Sequence, residues 1–154
     1  MGANVSTEPQ PALGRSFGHA RCIMCGSENS SSLGLVFRPS ADGGVAAEFK
    51  GHAGLQGYEG LLHGGIASAL LDAAMTNCLF RHGVKAVTAR LAVRFRAPIP
   101  FGATLIVQAR PIVLRPPLYK LAAELVDNGR VSAEAEAQFM SFPDVQETKP
   151  REEP

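Results

Sequence analysis

The segment from Gly64 to Arg81 constrains the fold more than any other part of the chain. It reads GGIASALLDAAMTNCLFR, contains no proline and is rich in alanine and leucine. That composition favours a helix, and the run is far too long for an ordinary strand. Its apolar residues go nearly all the way round, so the helix belongs inside a core rather than on a surface. Gly83 is placed to stop it. A helix without a polar face needs other elements to cover it.

Those elements are strands. Leu33 to Phe37 and Val45 to Phe49 alternate as half-buried strands do, with the turn Asp42-Gly43-Gly44 between them. A long strand runs from about Ala86 to Arg96. Along it Leu91, Val93 and Phe95 point one way and Arg90, Arg94 and Arg96 the other. Pro98 and Pro100 end it. Ala103 to Val113, Leu118 to Val126 and Val131 to Phe142 follow, the last two joined by the turn Asp127-Asn128-Gly129. The order is strand, strand, long buried helix, four strands. An α+β fold satisfies it, with one antiparallel sheet wrapped around the central helix. Residues 1–20 read as a flexible leader, 21–142 as the folded domain and 143–154 as a charged, proline-bearing tail.

Composition excludes several function classes. Net charge is +1, there is no Trp, and the eight Phe are not grouped for base stacking, so nucleic acid is not an expected partner. The longest apolar stretch, Ile66 to Phe80, is broken by Ser68, Asp72, Thr76 and Asn77, so no membrane span is expected. The three cysteines do not form a disulfide framework, and a reducing, cytoplasmic setting fits them. Gly2 with Ser6 matches the loose N-myristoylation pattern, set against a plain flexible N-terminus. Cys22 and Cys25 have the spacing of half a zinc site. With His19 they give at most three local ligands, so no metal is assigned.

Two features carry chemistry. His63-Gly64-Gly65 opens the helix, where the first amides have no internal partner and carry partial positive charge. They are either a site for a developing oxyanion or a helix entry with glycines for packing. Inside the helix, Ser68, Asp72 and Thr76 form one polar stripe at four-residue spacing. Asp72 is either a general base or nucleophile, or a structural group in a polar subunit contact or bonded to a neighbouring segment of the chain. Gly64 and Asp72 are eight residues apart, about 12 Å of helix rise. If both act on one carbonyl, they come from different protomers of a symmetric dimer. Arg90, Arg94 and Arg96 suit phosphate binding, or else form a solvated sheet face. A phosphate loop, a dinucleotide fingerprint and a Gly-x-Ser-x-Gly elbow are all missing from the sequence.

Leu62-His63-Gly64-Gly65-Ile66 followed by Leu70-Leu71-Asp72 resembles the hotdog-fold acyl-CoA thioesterases of the phenylacetate-pathway (PaaI-like) type. Val87-Thr88-Ala89-Arg90-Leu91 and Phe95-Arg96-Ala97-Pro98-Ile99-Pro100 are similar to that family's next strand, and Cys22 to Leu35 to a lead-in seen in many members. The resemblance covers about residues 20–142. It implies hydrolysis of an acyl-CoA to free CoA and a carboxylic acid, without metal or organic cofactor. Asp72 would activate water or attack the thioester, the Gly64 amide would polarise the carbonyl, His63 would shape that site, and Thr88 would place a hydroxyl near the water. Gly65, Gln56, Ser68 and the three arginines would contact substrate. The protein would be a homodimer, with dimers often pairing into tetramers. Where some members carry an asparagine about six residues before the histidine, this chain has Gly57, with Gln56 beside it. A non-catalytic acyl-CoA-binding protein on the same fold is the alternative reading, and an enoyl-thioester hydratase fits the His-Gly-Gly pattern less well.

Overall fold

The computed structural model describes residues 13–141. The elements are β1 (Arg38–Pro39), β2 (Val45–Lys50), α1 (Gly64–Arg81), β3 (Val87–Phe95), β4 (Thr104–Arg115), β5 (Leu118–Asp127) and β6 (Arg130–Met140), with 3-10 turns at Arg15–Phe17 and Ala53–Leu55. The strands form one sheet in the order β1-β2-β4-β5-β6-β3, antiparallel throughout.

Helix α1 touches every strand from β2 to β6. Five strands about 4.8 Å apart are much wider than a helix about 10 Å across, so the sheet must curl to make those contacts. Its inner face presents Leu105 and Val107 from β4, Leu121 and Leu125 from β5, and Ala133, Ala135, Ala137 and Phe139 from β6. Against them α1 packs Leu70, Leu71, Ala74, Met75, Cys78 and Leu79, all fully buried. The helix residues that keep some exposure past its first turn are Ser68, Ala69, Asp72, Thr76 and Arg81. The expected all-round burial therefore holds except along one narrow stripe.

Turn chemistry matches the sequence. Asn128 (φ 47°) and Gly129 (φ 78°) take the two left-handed positions of the β5–β6 hairpin, and Gly83 (φ 72°) follows the end of α1. At that end Arg81 donates to the carbonyls of Ser40 and Gly44, which fastens the turn before β2 to the helix.

Two expectations need correction. Leu33 to Phe37 is not a ladder strand, and the regular first strand is only Arg38–Pro39. Gly34 is left-handed (φ 69°), and the Leu33 and Leu35 amides donate to Ile23 and Met24 carbonyls, so the segment pairs with its own lead-in. Burial still alternates, with Leu35 and Phe37 inside and Val36 outside. The expected leader also overlaps described structure. Phe17 stacks on Phe80 with centroids 4.8 Å apart, and His19 meets the same ring edge-on at 4.7 Å. Two aromatic partners on one buried ring draw residues 13–20 onto α1. Residues 1–12, with the Gly2–Ser6 pattern, and residues 142–154 lie outside the described residues.

Replacing Leu79 by alanine should destabilise the fold by about 2–5 kcal/mol, since the cavity lies at a side chain with no surface in the middle of the core. Chemical denaturation, read as a shift in midpoint at constant slope, measures it.

Candidate active site

The loop ahead of α1 is held by its own groups. Gln56 uses both ends of its amide there: Nε2 donates to the Ala53 carbonyl at 2.7 Å, and Oε1 accepts the Gly60 N–H at 2.6 Å. The Leu62 N–H donates to Ile99 and the His63 N–H to Leu55. These bonds set His63 at the N-cap of α1, with Nδ1 accepting the Gly65 N–H at 2.8 Å. In the neutral ring the proton is then on Nε2. The His63 carbonyl accepts from Ile66 and Ala67. That leaves the exposed Gly64 N–H as the first helix amide, with no acceptor among the described residues. Gly57 packs on the capping histidine, where an added Cβ would stand 3.3 Å from His63 Cα and Cδ2. Phe95 lies close to the amide, its ring 3.5 Å from a Cβ built on Gly64.

The second half of the site lies two turns further along α1. Asp72 is half-buried on the open stripe, and Thr88 Oγ1 donates to its Oδ1 at 2.7 Å. No other hydrogen bond reaches this carboxylate among the described residues, so Oδ2 is available to a further donor. Desolvation is thus partial, and one charge-assisted bond offsets part of it.

Thr88 reaches Asp72 only because β3 is irregular. In the register with β6, Leu91, Val93 and Phe95 oppose the inward alanines Ala137, Ala135 and Ala133, while Arg90 and Arg94 oppose Gln138 and Glu134 on the outer face. Strict alternation would put Thr88 outside with Arg90. A shift between Thr88 and Arg90 inserts Ala89 as an extra residue, so Thr88 opposes the buried Phe139 and faces inward. Alternation alone gives no sign of this bulge, and the family resemblance was the only signal for Thr88.

The other sequence candidates fall into separate places. Ser68 turns its hydroxyl back onto the Gly64 carbonyl at 2.9 Å, local to the helix start. Gln56 borders the His63–Gly64 groove, but its amide is engaged within the loop. Arg90 and Arg94 are exposed on the sheet face opposite α1, away from both halves of the site within one protomer. Arg96 is paired with Glu134 at 2.6 Å. Phe95 at the helix start was missed; the alternation of β3 put it on the side of Leu91 and Val93 but gave no neighbour. The N-terminal segment comes within electrostatic reach. Burial first, then Lys85, holds the His19 ring below its ordinary pKa, and Asp72 acts in the opposite sense.

One protomer therefore holds a capped helix start with a free amide and, about 12 Å away, a hydroxyl-bound carboxylate. Such a pair can polarise a carbonyl at one end and activate water at the other. Residues 59–134 match the model of the Thioesterase superfamily. The acyl-coenzyme A thioesterase THEM4 of Mus musculus is 31% identical over 61% of this chain and 41% of its own length. The chain thus spans less than half the length of the curated relatives it matches, and 31% of the Bos taurus THEM4. Among solved structures, the E. coli PaaI protein of the phenylacetic acid degradation operon superposes with a TM-score of 0.67 at 19% identity, covering 73% of this chain and 83% of that one. The Streptococcus mutans UA159 protein smu.793, bound to acetyl CoA, has a TM-score of 0.66 at 17% identity, covering 70% of this chain and 88% of its own. These two establish the hotdog fold. No helix among the described residues is long and apolar enough to cross a membrane.

Replacing His63 by alanine removes the side-chain cap of α1 and should cost about 1 kcal/mol of stability without unfolding the protein. Thermal unfolding followed by circular dichroism checks it.

Proposed function

We propose that this protein is an acyl-CoA thioesterase that works as a homodimer, each site combining Asp72 and Thr88 of one protomer with the His63-Gly64 helix start of its partner. The observation that carries the reading is the half-exposed Asp72 carboxylate, bound by Thr88 on one oxygen and open on the other. The superfamily match over residues 59–134, the THEM4 relatives and the acetyl CoA held by the S. mutans protein support the substrate class.

Asp72 Oδ2 accepts a proton from water as the water oxygen attacks the thioester carbonyl. The partner's free helix-start amide donates to the oxygen that becomes negative, helped by the positive end of the helix. The thiolate of CoA then leaves and takes up a proton, and the carboxylic acid remains. The Thr88 hydroxyl fixes the rotamer of Asp72 and keeps one oxygen aimed at the water. Among the proposed phosphate ligands, Arg90 is exposed and has no ion pair among the described residues, whereas Arg96 is engaged by Glu134.

The free edge of β3 supports the dimer. Only β6 pairs with it among the described strands, and Val87, Leu91 and Phe95 are 42%, 36% and 54% exposed. An apolar edge with unpaired backbone groups calls for a cover, and a second β3 would provide one across a two-fold axis. Three free thiols fit a reducing, cytoplasmic setting.

Thiol release from a panel of acyl-CoAs tests the chemistry. Asp72→Asn should lower turnover by about 10²-fold or more, and Thr88→Val by about tenfold, with folding kept. Binding of every ester without thiol release would replace the enzyme by an acyl-CoA-binding protein. Full activity in Asp72→Asn would leave the reaction and remove its catalyst.

Leu91→Glu places a charge on the free edge. Light scattering should report a monomer for this variant, with native-like circular dichroism and turnover lost together with the dimer.

A further inference from the structure

A cluster of metal-type donors lies in the lead-in segment, outside the candidate active site and outside residues 59–134 of the superfamily match. The ligand atoms of His19, Cys22 and Cys25 all lie within 4.8 Å of one another, and Cys25 Sγ is 3.8 Å from His19 Nδ1. A tetrahedral ion with bonds of about 2.3 Å to sulfur and about 2.0 Å to nitrogen sets its donors roughly 3.5–3.8 Å apart. The three side chains need only small rotations to reach that spacing.

The backbone around the cysteines is arranged for ligation. The chain folds back after Cys25, with the Gly26 N–H donating to the Cys22 carbonyl at 2.8 Å. A Cβ at Gly26 would stand 2.4 Å from Cys22 N, so the turn admits only glycine. Each sulfur faces an N–H donor: Met24 N–H on Cys22 Sγ at 3.3 Å, and Asn77 Nδ2 on Cys25 Sγ at 3.7 Å. Asn77 is buried at 3% exposure and is itself fixed by donating to Ala73 at 2.9 Å. Burial pushes the free Cys25 thiol up to about 11 and the Asn77 donor acts against that, while a buried outer-shell amide is what orients a ligating side chain. The His19 ring is held by its edge-on contact with Phe80.

We propose that His19, Cys22 and Cys25 bind one divalent transition-metal ion of the zinc class, with water or another small ligand in the fourth position. Two thiolates and an imidazole select zinc or cobalt over magnesium and calcium, which take oxygen ligands. Binding forms two metal–sulfur bonds and one metal–nitrogen bond, and the two thiol protons pass to solvent. Two thiolates neutralise the dication, which suits a half-buried place. The role is structural: the ion fastens the lead-in to α1 through Asn77 and Phe80, residues that carry no part of the proposed chemistry. The inference does not rest on the thioesterase reading.

Anaerobic titration of the reduced, metal-free full chain with Co²⁺ tests it. A thiolate-to-cobalt charge-transfer band and the visible bands of tetrahedral cobalt should saturate at about one ion per chain and vanish on addition of Zn²⁺. Cys22→Ser and Cys25→Ser should each lose most of the charge-transfer band, and His19→Ala should weaken binding by about tenfold or more. Cys78→Ala removes the thiol that faces the Gly43 carbonyl and should leave the spectrum unchanged. Zinc in excess should raise the midpoint of thermal unfolding by about 5–10 °C in the native chain and not in Cys25→Ser. Absence of a saturating charge-transfer band in the native protein overturns the proposal whatever the variants do. So does an equal band in a folded Cys25→Ser protein. A Cys22–Cys25 disulfide by mass, in a chain that takes up no cobalt after reduction, makes the pair a redox couple instead.

Discussion

Burial of α1 is the constraint on which the rest of the structure depends. A helix apolar on nearly every side is stable only when covered on nearly every side, and the sheet curls far enough for β2 to β6 all to touch it. Ala133, Ala135 and Ala137 line β6, the neighbour of the edge strand, where larger side chains would hold sheet and helix apart. Coverage ends along one stripe, and there the helix carries Ser68, Asp72 and Thr76. A carboxylate at Leu71 or Met75, fully buried in the same segment, would have no compensating partner and would be strongly destabilising. The position of Asp72 is thus the place where the core can accept a charge and where that charge can still meet solvent.

The strand beside that stripe is fitted to it by a single residue. Ala89 breaks the alternation of β3, so Thr88 faces the helix while Arg90 and Arg94 face away. Without the extra residue the hydroxyl would point outward and Asp72 would lose the one hydrogen bond it has among the described residues. Bulges concentrate at sheet edges because an edge strand has only one partner to satisfy and can shift phase without breaking a second ladder. In this chain the edge supplies both the irregularity and the unpaired backbone on which the proposed dimer rests.

Much of this was legible in the sequence because periodicity and turn chemistry are local. The length and apolarity of the Gly64 segment fixed the central helix, and Asp127-Asn128-Gly129 fixed the last hairpin. The Ser68, Asp72 and Thr76 spacing marked the open stripe before the cover was known. What was not legible depends on pairing between distant segments. Leu33 to Phe37 alternates like a strand, yet its amides bond the Cys22–Cys25 lead-in rather than a ladder. The bulge at Ala89 depends on the register with β6, which alternation within β3 cannot reveal. Composition made residues 13–20 look loose, but their fate is decided by Phe80, about sixty residues away on α1. The gathering of His19, Cys22 and Cys25 likewise depends on how the lead-in folds back, not on their spacing alone.

The helix also acts as a ruler. A general base and an oxyanion donor must each come within about 3 Å of groups on the same attacked carbonyl. Eight residues of uninterrupted α-helix hold Asp72 and the Gly64 amide about 12 Å apart. Ten of the helix residues are buried in the core, so bending cannot shorten that distance without opening the packing. Loop motion at Gln56 to Leu62 cannot shorten it either, because the free amide belongs to the helix itself. If both groups serve one reaction, the missing half must come from another copy of the same helix. The strand that carries Thr88 is also an edge strand, unpaired on one side among the described residues, so one element would both orient the carboxylate and bring in the partner's amide. Under that arrangement a lone protomer, however stable, has two halves that belong to different sites. Assembly and chemistry then cannot be tuned independently: any change that weakens the β3 edge separates the base from its oxyanion donor before it touches either one.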